Sequence, residues 1–150
     1  MSFISCLKNL KELKLTFISL NDFDILQHTY FSQLQVLKLS NPILNLNFIQ
    51  NFIQVNGKNL RECYLKNFDS NYSCNSLYLA IANFCPNLKK LYCWFKNNEV
   101  ETLKIVLNSC QYLESIYIRC GGGYLSEKVS LEALAKFSPK NFCYILIMIQ

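Results

Sequence analysis

The residues best suited to chemistry in this chain are its cysteines and its single histidine. Structural zinc sites place thiolate and imidazole ligands in close pairs, typically two to four residues apart. No two cysteines here form such a pair, and no second histidine accompanies His28. We therefore predict no metal site and no cofactor. The cysteines occupy positions 6, 63, 74, 85, 93, 110, 120 and 143.

Two other arrangements resemble catalytic sites only superficially. His28 lies near Asp22 and Asp24, but no serine or cysteine has the spacing that a nucleophile of a catalytic triad would need. The run 121–123 is three glycines, yet Lys128 lacks the Gly-Lys-Ser/Thr context of a phosphate-binding loop. A glycine turn after a strand explains this run. We predict that the chain is not an enzyme and has no catalytic residue.

Length and composition favour one folded domain. The chain has 150 residues, of which 51% are hydrophobic and 17% charged, so it has ample material for a core. The net charge of +5 permits acidic partners without demanding nucleic acid, which we consider an unlikely partner. No apolar run is long enough to cross a bilayer, and the N-terminus lacks a secretory signal. We expect no membrane association and a cytoplasmic or nuclear location.

A short apolar motif repeats along the whole chain. The pattern L-x-x-L-x-L, with Ile, Cys or Phe at some positions, occurs six times, and its first positions are 24, 26, 28, 25 and 29 residues apart. An asparagine precedes four of the copies. Such a period is typical of stacked repeats. The copies are Leu10-Leu13-Leu15, Leu34-Leu37-Leu39, Leu60-Cys63-Leu65, Leu88-Leu91-Cys93, Leu113-Ile116-Ile118 and the weaker Phe142-Ile145-Ile147.

Helical apolar faces separate these strand motifs. Asn98 and Glu101 have the spacing of a capping box before the third face. Each unit then consists of a strand, a turn and a helix, and it cannot bury both of its faces unless the units stack. We predict an α/β fold in which parallel strands line one side and helices the other. The predicted helical faces are Phe48, Ile49, Phe52 and Ile53; Leu77, Ile81, Phe84 and Cys85; Val100, Leu103, Leu107 and Cys110; and Leu131 and Leu134.

The ends of the helices carry a resemblance to a known family. The segment 79–91, LAIANFCPNLKKL, is a helix that ends in Cys-Pro-x-Leu-x-x-Leu, and the segment 107–116 repeats it without the proline. These segments resemble the cysteine-containing leucine-rich repeats of F-box proteins, and the likeness covers nearly the whole chain as repeat architecture. It implies a leucine-rich-repeat solenoid of about six repeats, shaped as a horseshoe arc with strands on its concave face. It also implies substrate binding for a ubiquitin ligase.

The repeat slots also account for four of the cysteines. Cys63 and Cys93 occupy apolar strand slots, whereas Cys85 and Cys110 occupy matching helix ends. A cysteine at such a position acts as a small buried hydrophobe. We predict that these four thiols are reduced and lie in the core. The remaining cysteines have no assigned slot.

The residues between the apolar positions of each strand point outward, onto the concave face. The central outward residue is Tyr64, Tyr92 and Tyr117 in the third, fourth and fifth copies, and the only tryptophan, Trp94, lies beside them. Neighbouring strands are ~4.8 Å apart, so equivalent slots are in contact. Clustered aromatic and arginine side chains commonly dominate protein interfaces. The predicted protein-binding residues are Tyr64, Tyr92, Trp94 and Tyr117, with a basic rim of Lys38, Lys66, Lys90 and Arg119.

The sequence thus predicts a protein-recognition module whose partner has acidic character. From the resemblance we expect the substrate-binding repeat region of an F-box-type ubiquitin-ligase receptor. The alternative is a scaffold or regulatory leucine-rich-repeat domain unrelated to ubiquitin.

The two ends of the chain carry further expectations. No F-box is visible, because the first repeat begins by Leu10. We expect residues 1–150 to be a single domain from a longer array. The last strand, 144–149, has no polar alternate face, and it is a candidate for self-association through an unprotected edge.

Overall fold

A computed structural model describes residues 7–16, 25–40, 46–66 and 73–149. Each copy of the repeated motif forms a short strand, and helices lie between the strands from the second copy onward. The strands are β1 (Glu12–Thr16), β2 (Val36–Ser40), β3 (Glu62–Lys66), β4 (Lys90–Cys93), β5 (Ser115–Cys120) and β6 (Tyr144–Ile149). The helices are α1 (Leu46–Asn56), α2 (Asn75–Phe84), α3 (Val100–Ser109) and α4 (Glu127–Phe137), with 3₁₀ turns at Leu26–His28 and Gly57–Asn59.

The six strands form one parallel sheet in chain order, β1 to β6. The second apolar positions of successive copies are aligned, from Leu13 through to Ile145. This alignment confirms the predicted α/β class, the parallel pairing and the sixth strand. Strands and helices contact mainly the elements beside them in this order.

The same hydrogen bond recurs at every junction between strands. At each of the five junctions, one carbonyl just before a strand accepts two backbone N–H groups of the next copy; Lys11 O, for example, accepts from the N–H groups of Gln35 and Val36. The repeated asparagines add a side-chain link, since Asn59 Nδ2 donates to Ser32 O and Asn87 Nδ2 to Lys58 O. Identical junctions give each strand the same rotation about its axis, so equivalent residues face the same way. The repeated carbonyls belong to Lys11, Gln35, Arg61, Lys89 and Glu114.

The helices cover one face of the sheet and share a continuous core with it. Strand residues alternate between this core and the opposite face because the side-chain period of a strand is two. Most of the predicted helical faces are buried, but the predictions for Phe84 and Leu131 were wrong, since both are exposed. Cys85, which follows the last turn of α2, fills the core at that point. Helix α4 buries a stripe formed by Ser130, Ala133 and Leu134. Successive residues of an α-helix point in different directions around its axis, so Leu131, which follows Ser130, faces away from this stripe.

The start of α3 also differs from the prediction. The expected capping box does not form, because the residue at the N-cap is Glu99 and no side chain caps the helix there. The buried Glu99 carboxylate instead accepts hydrogen bonds from Lys96 N at 2.9 Å and from the Ser73 hydroxyl at 2.7 Å. It thereby ties the loop before α3 to the loop before α2.

Strand β6 lies at the edge of the described sheet and is exposed on both faces. Ile145 and Ile149 are 38% and 62% exposed, whereas their register partners in β5, Ile116 and Cys120, are each 1% exposed. The difference follows from position, since no described helix packs beyond β6. Within the described residues, no helix has the length and apolar character needed to cross a membrane.

Candidate protein-binding face

The open face of the sheet is the face opposite the helices, formed by the outward residues of the six strands. Its central row is aligned by the strand register and runs, in order, through Lys14, Lys38, Tyr64, Tyr92, Tyr117 and Leu146. The structure therefore brings the three predicted tyrosines together as neighbours. All three are half-buried, as expected for side chains that lie against one another on an open sheet.

The tyrosine row is closely packed. The rings of Tyr92 and Tyr117 stack with centroids 3.6 Å apart and an interplanar angle of 7°, and the Tyr64 ring lies 6.2 Å from that of Tyr92. The Tyr117 hydroxyl lies 3.1 Å from Met148 Sδ, and the Tyr64 hydroxyl donates to Glu62 at 2.7 Å. Burial, followed by this hydrogen bond, raises the pKa of Tyr64 to about 12. Tyr64 is therefore neutral at physiological pH.

Two of the predicted rim cations are paired with acids. Lys38 Nζ lies 2.6 Å from a carboxylate oxygen of Glu12, and Lys90 Nζ lies 3.0 Å from one of Glu62. Burial acts to raise the pKa of Glu62, but the hydrogen bonds from Tyr64 and Lys90 and the nearby positive charges lower it overall. The sequence places both acids on this face, and Glu62 lies directly opposite Lys90 in the register. These pairs reduce the positive charge that the rim offers to a partner.

Lys66 and Arg119 have aromatic neighbours and no acid partner among the described residues, whereas Lys38 has both, with its Nζ 5.5 Å from the centre of the Tyr64 ring. Lys66 Nζ lies 5.2 Å from the centre of the Tyr92 ring. The Arg119 guanidinium carbon lies 4.9 Å from the centre of the Trp94 ring and 5.2 Å from that of Tyr124. Aromatic faces attract cations, so both side chains have a favourable contact that involves no acid.

Tyr124 is a part of this face that sequence reasoning missed. Gly121, Gly122 and Gly123 all have positive φ angles, which confirms the predicted glycine turn and returns the chain toward β4. Tyr124 then forms an antiparallel bridge with Lys96, and its ring meets that of Trp94 edge-on at 6.0 Å. The glycine run was the only signal in the sequence, and it does not specify which residue comes back against Trp94.

Trp94 is positioned from below by Tyr78 of α2, a second residue that the sequence did not single out. The fully buried Tyr78 hydroxyl accepts a hydrogen bond from Trp94 N and donates one to Trp94 O, each at 3.0 Å. The Tyr78 ring also packs on Phe95 at 4.4 Å. One helix side chain therefore fixes the backbone of the tryptophan just after β4 ends.

Two depressions of different character lie on the described part of the open face. A mainly apolar groove of ≈ 440 Å³ lies over β4 to β6, with Tyr92, Tyr117, Tyr144 and Leu146 in its lining. A second depression of ≈ 380 Å³ lies over β1 to β3 and is lined by Lys14, Lys38, Leu39, Ser40, Tyr64 and Lys66. The face thus has an apolar end and a basic end.

The thiols contribute to packing in this structure. Cys63, Cys85, Cys93 and Cys110 are free and fully buried, which confirms their predicted core positions. Burial raises the pKa of both Cys63 and Cys110 to about 12. In the part of the chain that the structure describes, no group of three or more His, Cys, Asp or Glu residues is arranged to hold a metal ion. The suggested acids Asp22 and Asp24, and Cys6, lie outside the described residues.

Comparison of the chain with protein-family models, with curated proteins and with solved structures finds no match in any of the three.

Proposed function

We propose that this chain is a protein-recognition module of the leucine-rich-repeat class, which binds its partner on the open face as on the concave side of a horseshoe. One observation carries the proposal: Tyr64, Tyr92 and Tyr117 form a packed aromatic row on a solvent-facing sheet, with Trp94 beside it. Ordered aromatic surfaces lose little conformational entropy on binding, so they are effective anchors for a protein ligand.

The chemistry of the face favours an extended segment with acidic and apolar side chains. The apolar groove over β4 to β6 suits an apolar side chain, and the basic end suits a carboxylate. Lys14, Lys66 and Arg119 carry positive charge that no acid among the described residues neutralises. This charge favours an acidic partner over a basic one.

A finer proposal is that the chain is the substrate-binding repeat region of an F-box-type ubiquitin-ligase receptor in the cytoplasm or nucleus. It is supported by the resemblance of the helix ends that finish in Cys85 and Cys110 to F-box leucine-rich repeats. The alternative remains a scaffold or regulatory repeat domain unrelated to ubiquitin.

The face is tested by comparing proteins captured from the native cell by the wild type, by Tyr92→Ala and by a matched variant, Tyr112→Ala. Tyr112 is exposed but lies between α3 and β5, away from the tyrosine row. A partner that is retained by Tyr112→Ala should bind Tyr92→Ala about thirtyfold more weakly when both are purified, as expected for a central interface aromatic. Equal melting temperatures ensure that folding is unchanged. Unaltered affinity in Tyr92→Ala, and again in Trp94→Ala, would rule out this face.

The same capture distinguishes the two finer roles. A receptor subunit binds its ligase adaptor through the F-box, so the adaptor should be recovered with the natural full-length protein even after Tyr92→Ala. Its absence from every capture of that protein would favour the scaffold role.

A further inference from the structure

A second row of outward residues lies one step toward the carboxyl ends of the strands. The register pairs Ser40 with Lys66 and Arg119 with Met148. Trp94 directly follows β4. The register aligns Tyr64, Tyr92 and Tyr117. Since Lys66, Trp94 and Arg119 each lie two residues after one of these tyrosines, Trp94 is level with the two cations. Two cations therefore flank the tryptophan on neighbouring strands.

These two cations differ from the other two of the predicted rim. Lys38 and Lys90 have carboxylate partners, but neither Lys66 nor Arg119 forms an ion pair with any acid in the described ranges. Arg119 Nε and Trp94 Nε1 are also shielded from solvent, and no described group accepts a hydrogen bond from either. Because buried donors are normally paired, these two groups have unused hydrogen-bonding capacity, which a ligand carboxylate can take up when the side chains turn toward it.

The spacing of the strands that carry the two cations restricts the shape of the ligand. Strands in a sheet are ~4.8 Å apart, so Lys66 and Arg119, two strands apart, have backbones ~10 Å from each other. A polyproline II segment advances about 9 Å in three residues and returns to the same side, so its residues i and i+3 match this separation. In a β-strand the same-side neighbours are about 7 or 13 Å apart and match less well.

We propose that the partner binds as an extended, polyproline II-like segment that crosses the strands and places acidic side chains i and i+3 on Lys66 and Arg119. The residues between them lie over Trp94. This inference rests on the proposed function of the open face and adds the spacing of the acids that it recognises. The aromatic contacts of Arg119 and Lys66 favour positions of both cations over the face before the ligand arrives, which reduces the entropy lost on binding.

The test uses capped proline peptides of eight residues and the full chain, with affinities measured by NMR titration at low salt. One peptide has glutamates at its third and sixth positions, one has glutamines there, and one has glutamates two residues apart. We expect the first to bind about fivefold more tightly for each ion pair than the glutamine peptide, which is the upper end of the range for exposed pairs. The peptide with the shorter spacing should bind at an intermediate affinity.

Protein variants locate the effect. Lys66→Gln and Arg119→Gln should each weaken binding of the i, i+3 glutamate peptide about fivefold. Neither substitution should change the affinity for the glutamine peptide. Lys128→Gln removes a cation from α4, on the helix-covered side of the sheet, so it should change the affinity less than twofold. The inference is overturned if the first two peptides bind equally, if neither binds, or if Lys128→Gln has as large an effect as Arg119→Gln.

Failure here is distinguishable from failure of the proposed function. The decisive case is a natural partner that binds Tyr92→Ala more weakly than the wild type but binds Lys66→Gln and Arg119→Gln with unchanged affinity. Such a partner would use the open face without the acid pair. That result would retain the function and overturn the inference.

Discussion

The substitution Tyr78→Phe tests how the core positions the candidate binding face. It removes one oxygen atom and keeps the ring that packs on Phe95. In the wild type, that oxygen makes two hydrogen bonds of 3.0 Å, one from Trp94 N and one to Trp94 O. Because Tyr78 is fully buried, water cannot replace the lost hydroxyl without disturbing the packing.

The expected loss follows from these two bonds. Leaving a buried donor or acceptor without a partner costs about 1–3 kcal/mol, and the substitution affects one of each at Trp94. The carbonyl has a second lone pair and can recover part of its bonding, so we expect about 2 kcal/mol overall. For a chain of this length the melting temperature falls by about 2–4 °C per kcal/mol. The variant should therefore melt roughly 4–8 °C below the wild type.

Equilibrium unfolding in urea provides the measurement, followed both by far-UV circular dichroism and by fluorescence. Trp94 is the only tryptophan, so its emission reports directly on the residue that Tyr78 holds. The matched control is Tyr112→Phe, which removes the same atom from a side chain that is 56% exposed. This control should change the unfolding free energy by less than about 0.5 kcal/mol.

If Tyr78→Phe were as stable as the control, the stabilising role of the Tyr78 hydroxyl would be refuted. Its role in positioning Trp94 would be refuted if stability fell while the native emission of Trp94 stayed unchanged, because the hydroxyl would then support the core without positioning the tryptophan.

Three further perturbations test other parts of the structure. A Cβ atom at Gly57 would lie 2.6 Å from the backbone carbonyl oxygen of Phe84, so Gly57→Ala should lower the unfolding free energy by about 1–3 kcal/mol; an unchanged urea midpoint would contradict this. The folded-state pKa of Glu62 is below its ordinary value of 4.5, so its stabilisation is present above pH 4.5 and is lost as the pH falls through the folded pKa. Glu62→Gln should therefore lower stability near neutral pH and narrow the gap to the wild type in acid, and parallel pH profiles of unfolding would refute the role of the carboxylate. Cys143 is exposed, so mass spectrometry after brief iodoacetamide treatment should find it alkylated in the native protein. We expect the four core cysteines to remain unalkylated until urea unfolds the chain; they are Cys63, Cys85, Cys93 and Cys110.

The sheet could be predicted from the sequence because each strand is specified by a short motif that repeats along the chain. Six copies of one motif specify which side chains alternate inward, and stacking the copies in order fixes the register that aligns Tyr64 with Tyr92 and Tyr117. The four core cysteines followed from the same slots. Periodicity of this kind reports the environment of a residue without any comparison with other sequences.

The parts that were missed depend on contacts between segments with no common period. The return of Tyr124 to Trp94 is set by a glycine turn whose path the sequence does not specify. Tyr78 looks like an ordinary core residue of α2, and only the fold shows that its hydroxyl lies under β4. The ion pair between Glu62 and Lys90, by contrast, was available from the register alone, and it reduces the basic character predicted for the rim.

The order of the strands in the sheet also determines where the protein unfolds locally. Each element depends chiefly on its immediate neighbours, so separation at one junction does not require separation at the others. Fluctuations then begin at the outer strands, each of which has one described strand neighbour, and must pass through several junctions before they reach the middle. Amide protons in β3 and β4 should accordingly exchange with solvent more slowly than those in β1 and β6. The aromatic row, which begins on those two central strands, lies where the chain spends the least time open.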